Sequence, residues 1–396
     1  TWGPPTDEDT MDSSGVAADN YGGVYVIGDF EGLCDFDPGP GEDFKQSNGH
    51  ADIFLSKFDT EGNFLWVRVW GGTEADNGEA IAVDYNGDVY ATGDFKGTVD
   101  FDPGEGVDEH IANNNGNVFL TSIDSDGGFL WARTWGGEGV TEDTGYSVAV
   151  DDFSNIFVTG VFEGAVDFDP GPGEDIQTSE GLESSSFLSK FDNSGNYFWA
   201  RTWGNEAGGH STSCDVDVTS SGESFITGYY SKTVDFDPGV GQDIYTSTHQ
   251  AVFMTSYDQD GNYRWVKTWG GVSGISFDWG AGVAVHESGF VYVSGGFNGT
   301  CDFDPGPGEE FHSSNGGSDY FISKYNTNGD FLWVRTWGGL EIWESVRAVA
   351  VNSSQSVIAT GVFTGQVDFD PGPGEDWHSG MICDIFLCKI PPDGNW

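Results

Sequence analysis

The stretch Asp35-Phe36-Asp37-Pro38-Gly39-Pro40-Gly41-Glu42-Asp43 constrains this chain more than any other feature, because it returns six times. Later copies start at Asp100, Asp167, Asp235, Asp302 and Asp368, and the core Asp-Phe-Asp-Pro-Gly is the same in each. The motif phenylalanines stand at Phe36, Phe101, Phe168, Phe236, Phe303 and Phe369, so one period is about 66 residues and six periods fill the 396-residue chain. A chain built this way stacks one supersecondary unit repeatedly. A residue present in every copy is also a poor candidate for a unique catalyst.

The second copy shows what the unit is. Ala80–Asp84 is a short apolar strand, Tyr85-Asn86-Gly87-Asp88 a hairpin turn, and Val89–Phe95 a second strand. The Asn-Gly pair is expected to supply the positive φ angles of the turn. A long connection carries the motif. Asn117–Ile123 and Phe129–Trp135 read as third and fourth strands, joined by Asp124-Ser125-Asp126-Gly127-Gly128. With 61 Gly and 15% aromatic residues, the composition is that of Gly-rich turns between aromatic strands. The strands are nearly continuous apolar runs, as expected of sheets covered on both faces. Four antiparallel strands repeated six times predict an all-β, six-bladed β-propeller spanning residues 1–396 as one domain. A closed ring is preferred over an open solenoid, because no polar capping repeat is visible at either end.

Two stretches carry a family resemblance. Val83-Asp84-x-x-Gly87-Asp88-Val89-Tyr90-x-Thr92-Gly93 is one, and Phe187-Leu188-Ser189-Lys190-Phe191-Asp192-x-x-Gly195-Asn196-x-x-Trp199 is the other. Together they resemble the SBBP repeat, the bacterial β-propeller repeat of secreted and surface proteins, in the subset that carries the Asp-Phe-Asp-Pro-Gly insertion. The resemblance implies a propeller fold and an extracellular or cell-surface location. It assigns no activity. It departs in number, since the family name implies seven blades and this chain has six repeats.

Charge narrows the partners. There are 65 acidic residues against 14 Lys plus Arg, a net charge of −51, spread over every repeat. Such a surface repels nucleic acid and anionic lipid and suits bound cations or a salty medium. No run of 18 apolar residues is present, so no membrane span is expected. The chain begins at Thr1 without a Met, which fits removal of a signal peptide. Of the five cysteines, Cys34 and Cys301 occupy a repeat position held elsewhere by Val, and they read as small buried hydrophobes.

Three constellations could carry chemistry. The first is the motif loop. It reads either as a turn, with Asp capping and Gly supplying positive φ, or as a Ca²⁺ loop of carboxylates. The calcium reading uses Asp35, Asp37 and Asp43, then Asp100, Asp102 and Asp108, Asp167, Asp169 and Asp175, Asp235, Asp237 and Asp243, Asp302, Asp304 and Glu310, and Asp368, Asp370 and Asp376. The second is the fourth-strand stripe Trp-x-Arg-x-Trp, as in Trp131-Arg133-Trp135. It reads as blade packing with the cation paired to a motif acid, or as a sugar platform. Lys57, Lys190, Lys324 and Lys389 on the third strand are likewise expected to pair with acids. The third is the set of variable joints between repeats. Trp279 and Trp343 fall there, and with His210 and Asp278 they are the expected unique binding patch.

The ends read as a split stripe. Trp396 and Trp2 are expected to complete one Trp pair, so that Thr1, Trp2 and Trp396 either close the ring or join one subunit to the next. Seven scattered histidines, no Gly-x-Ser-x-Gly and no phosphate loop leave catalysis without a candidate. The expectation is therefore a secreted, non-enzymatic structural or adhesive protein, calcium-stabilised and self-associating. The rival is a polysaccharide-binding propeller, and behind it a glycoside hydrolase or lyase, for which a symmetry-breaking acid cluster at the central axis would be needed.

Overall fold

The computed structural model describes residues 3, 9–113, 115–179, 184–204, 206–270, 277–340, 345–370, 372 and 374–394. Among them there are only strands and turns, and no helix. The chain forms two compact units, Thr1–Thr202 and Trp203–Trp396.

The first unit holds three antiparallel four-stranded sheets, each a simple up-and-down meander. Their strands are Thr10–Ala18, Val24–Glu31, Asp52–Phe58 and Phe64–Trp70; Asn77–Val83, Val89–Phe95, Asn117–Ile123 and Phe129–Trp135; and Thr144–Val150, Ile156–Phe162, Ser185–Phe191 and Tyr197–Trp203. In the second copy three strands keep the bounds expected from sequence. The first strand starts earlier, at Asn77. The connection between second and third strands is itself ordered as a two-stranded ribbon, such as Thr98–Asp100 paired with Glu109–Ile111. The motif turn is the tip of that ribbon.

The second unit repeats the pattern with longer strands, in which the ribbon is continuous with strands two and three. Its sheets run Glu206–Val218, Ser224–Asp235, Ile244–Tyr257 and Tyr263–Trp269, then Trp279–His286, Phe290–Asp302, Phe311–Asn326 and Phe331–Gly339. A last sheet contains Ser345–Val351, Val357–Asp368 and Trp377–Ile390. Gly338 and Gly339 pair with Asp368 and Val367, tying one sheet's end to the next sheet's ribbon.

Neighbouring sheets pack face to face, as nearly continuous apolar strands require. Ile27, Leu55 and Trp70 of the first sheet meet Ile81, Phe101 and Phe119 of the second in one core. Trp135 and Leu120 then meet Ile156, Phe168 and Phe187 of the third. Equivalent layers fill the second unit. Cys34 and Cys301 are fully buried as small apolar side chains, and Cys34, Cys214, Cys301 and Cys388 are free thiols.

The hairpin turns are three-residue loops, closed by an aspartate in the first three sheets and in places by Thr219, His286, Asn326 or Asn352 in the later ones. Asp84 Oδ1 accepts from Asn86 N (2.8 Å) and Asp88 N (3.0 Å), and Gly87 N donates to Asp84 O (3.1 Å). Only Gly87 has a positive φ, +90°, so Asn86 does not share the role that the Asn-Gly pair suggested. Ser154 and Gln355 stand at the same turn position with φ of 57° and 62°. Ser154 is held there by a 2.7 Å side-chain bond to Asp84 Oδ2, whereas Gln355 takes the left-handed angle with its backbone bonded to Asn352 O (2.8 Å) and Tyr292 Oη (3.4 Å). Gln355→Gly is expected to raise stability by about 1 kcal/mol, read as a higher urea midpoint with an unchanged slope.

Candidate functional site

The motif turn is built the same way six times. The first Asp turns Oδ1 inward to accept two backbone amides: Asp35 takes Asp37 N (3.1 Å) and Asp43 N (2.9 Å). Asp100, Asp167, Asp235, Asp302 and Asp368 hold the amides of Asp102 and Asp108, Asp169 and Asp175, Asp237 and Asp243, Asp304 and Glu310, and Asp370 and Asp376. The second Asp holds the next Gly amide, as Asp37 Oδ1 does for Gly39 N (2.7 Å). Its Oδ2 lies where a Cβ on Gly41 would sit, 2.2 Å away. That close approach is why the motif needs Gly after Pro40. The last acid turns outward to its own neighbours. Asp43 pairs with Lys45 (2.6 Å), Asp376 with His378 (3.2 Å), and Asp243 accepts from Tyr263 (2.6 Å).

The carboxylates of one turn are thus spent separately on amides and side chains. Among the described residues no group of three or more His, Cys, Asp or Glu is gathered for a metal ion. The geometry gives the motif acids the work of caps. The motif phenylalanine is the plug. Phe168 is fully buried and meets Phe162 and Phe187 at 5.2 and 5.3 Å between ring centres.

The Trp-x-Arg-x-Trp stripe is a strap between sheets. Its second tryptophan is buried, 2% exposed at Trp70 and 3% at Trp135, so the pair offers no flat platform to solvent. The arginine stacks on the first indole only, at 5.1 Å for Arg68 over Trp66 and 5.4 Å for Arg133 over Trp131. Its expected acid partner is replaced by backbone. Arg68 Nε donates to Gly127 O (2.6 Å) and Arg133 Nε to Gly195 O (2.9 Å), carbonyls in the turn of the next sheet. Lys57 and Lys324 do the same, donating to Ser125 O (2.9 Å) and Pro392 O (3.1 Å). Lys57 also keeps a longer contact to Asp19 (3.8 Å). Turn carbonyls win over motif acids because they lie directly across the gap between sheets.

Arg335 Nε donates to Gly394 O (2.5 Å), which identifies Gly394 as the equivalent of Gly127 and Gly195. The fourth strand begins two residues after that glycine, at Phe64, Phe129, Tyr197, Tyr263 and Phe331. Counted along the sequence from that glycine, Trp396 stands where the other repeats have Phe64, Phe129, Tyr197, Tyr263 and Phe331. Gly3 exchanges backbone bonds with Asp35 (3.2 and 3.4 Å), the local pattern Gly338 makes with Asp368. Thr1, Trp2, Trp396 and Trp343 lie outside the described residues.

The expected patch around Trp279 is partly structural. Asp278 is fully buried and accepts from Asn298 N (3.0 Å), the same service that Asp76 gives Lys96 N and Asp143 gives Glu163 N. Trp279 is half-buried, with its indole lying across Gly296. His210 bonds to Thr212 Oγ1 through Nε2 (3.1 Å).

An acid cluster restricted to two repeats does occur in the first unit. Asp12 faces Asp29 across two strands, Asn77 faces Asp94, and Glu79 is the extra residue of the bulge beside Gly93. Burial, then the charge of Asp12, raises Asp29 to about 6. Burial, then Asp29, raises Glu79. Burial, aided by Glu142 and Glu79 and opposed by the Asn77 amide, raises Asp94 to about 7. The pattern escapes sequence reading because a bulge, which breaks strand alternation, brings Glu79 beside the two aspartates.

No family model matches the chain. An uncharacterized WD repeat-containing protein of Acanthamoeba polyphaga mimivirus is 24% identical over 269 residues, 60% of this chain. The aligned part spans only 19% of that protein's length. A crystal structure of glucose dehydrogenase superposes with a TM-score of 0.40 at 9% identity, covering 90% of this chain and 96% of that one. The repeated four-stranded sheets and the WD-repeat relative together define a β-propeller-like repeat protein.

Proposed function

We propose that this chain is a six-bladed propeller that serves as a non-enzymatic structural or adhesive module outside the cell, associating with itself or with surface polysaccharide. One observation carries the reading. The residues that recur in the repeats are spent on the fold itself: motif aspartates on the amides of their own turn, motif phenylalanines in the core, arginines on the next sheet's turn. The acidic surface fits a cation-rich exterior, and the SBBP resemblance supplies the location. Negative-stain microscopy of the purified chain tests the ring, with six-spoked top views expected and an open arc overturning it. Light scattering across salt tests association, and a monomer under every condition would remove it.

Calcium enters this proposal through a direct test. Asp37→Asn keeps the oxygen that holds Gly39 N, so a capping role predicts an unchanged melting midpoint. It also predicts equal midpoints in EDTA, millimolar Ca²⁺ and NaCl of matched ionic strength. A Ca²⁺-specific rise that Asp37→Asn diminishes would give the turns back to the metal.

A further inference from the structure

One tryptophan belongs neither to the repeated pairs nor to the variable joints. Trp377 directly follows the last acid of the sixth motif, a place held elsewhere by Phe44, Glu109, Ile176, Ile244 and Phe311. It is 58% exposed. In the ribbon, Trp377 stands opposite Asp368 and Ser379 opposite Gln366, so all four side chains share one face. Gln366 Nε2 reaches Ser379 Oγ at 3.5 Å. The facing wall is Asn315 with the backbone of Gly338 and Gly339 and the exposed Leu340, and the cleft between has a volume of about 550 Å³. That is within the range of roughly 300–1,000 Å³ typical of small-ligand sites.

We propose that this cleft binds a neutral polysaccharide chain. An exposed indole offers an apolar plane for the C–H face of a pyranose ring. Asn315 Nδ2 reaches Gly338 O (3.3 Å) and Gln366 Nε2 reaches Ser379 Oγ, which leaves each amide a second hydrogen and its oxygen; with the Asp368 oxygen that does not hold the turn amides, they form a mixture that suits hydroxyl groups. No Lys or Arg lines the cleft, and the chain carries a net charge of −51, so uronic, sulfated or phosphorylated sugars find no counter-charge. The other described ribbons do not repeat the combination. Where this one has Gln366 and Trp377, they have Leu33 and Phe44, Thr98 and Glu109, Ala165 and Ile176, Thr233 and Ile244, or Thr300 and Phe311. The inference is independent of ring closure and of self-association.

The test is affinity electrophoresis of the full chain through gels containing soluble mixed-linkage β-glucan, xyloglucan or galactomannan, with polygalacturonate as the anionic comparison. At least one neutral polymer is expected to retard the protein. Trp377→Ala is expected to weaken that retardation at least tenfold, Gln366→Ala several-fold, and Trp377→Tyr to restore much of it. Phe153→Ala, at a ring 75% exposed, serves as the control and is expected to change nothing. Equal melting midpoints for wild type and Trp377→Ala would show that the loss is not unfolding. Retardation by no neutral polymer, undiminished retardation of Trp377→Ala, or Trp377-dependent binding to polygalacturonate would each overturn the assignment.

Discussion

Acidification from pH 8 to pH 5 is expected to raise the thermal midpoint of this protein by several degrees. The cause is a set of buried carboxylates. Burial lifts Asp52, Asp76, Asp143 and Asp319 to about 6, against the amide bonds each accepts, and lifts Asp94 and Asp217 to about 7. In the unfolded chain these groups return to about 3.8, so the folded state binds protons that the unfolded state has released. Their contribution to stability is complete below about pH 4 and is lost as pH rises through 6 to 7. Asp19, Asp192 and Asp258 shift the other way, and what they contribute is lost only below about pH 4, outside this window. Asp94 is the sharpest case. It is 2% exposed, and a carboxylate held near 7 costs the ionised folded state on the order of 4 kcal/mol. Asp94→Asn retains an acceptor for the Asn77 amide, 3.1 Å away. The variant is expected to melt above wild type at pH 8 and level with it at pH 5. A wild-type midpoint that falls steadily from pH 8 to pH 5 would contradict the argument.

The same carboxylates mark where the sequence could and could not be read. The period and the four strands were legible because each is a local pattern repeated along the chain. The function of the motif acids was not. Three carboxylates within nine residues fit both a cation loop and a capped turn; Asp35 Oδ1 accepts the amides of Asp37 and Asp43, as a capped turn requires, and the comparison of EDTA with Ca²⁺ tests the cation loop. The arginine partner was misread for a related reason. A sequence this acidic invites an ion pair, yet a turn carbonyl directly across the gap takes Arg68 and Arg133 at shorter range. Glu79, Asp29 and Asp94 stayed hidden because a bulge changes which residues share a face. Trp377 stayed hidden because it sits at a repeated position, where only comparison of all six copies shows how unlike the others it is.

Phe168→Ala is expected to destabilise the protein by about 3–5 kcal/mol, the usual cost of emptying a closed aromatic site. The ring is fully buried within the layer formed by the second and third sheets, edge-on to Phe162 and tilted against Phe187. Trp135 of the preceding sheet meets the same Phe187 edge-on at 6.2 Å. The cavity would therefore touch both sheets, and little nearby could collapse into it, since the turn above is pinned by Asp167 to the amides of Asp169 and Asp175. Urea unfolding followed by tryptophan fluorescence reads the loss as a lower midpoint. Phe153→Ala, at a ring that is 75% exposed, should leave the midpoint in place. If the motif phenylalanine were only a tether for a metal loop, Phe168→Ala would cost little in EDTA and more in Ca²⁺. If it is the plug of its layer, the cost is the same in both, because apolar burial and not the turn's charge is what has been removed.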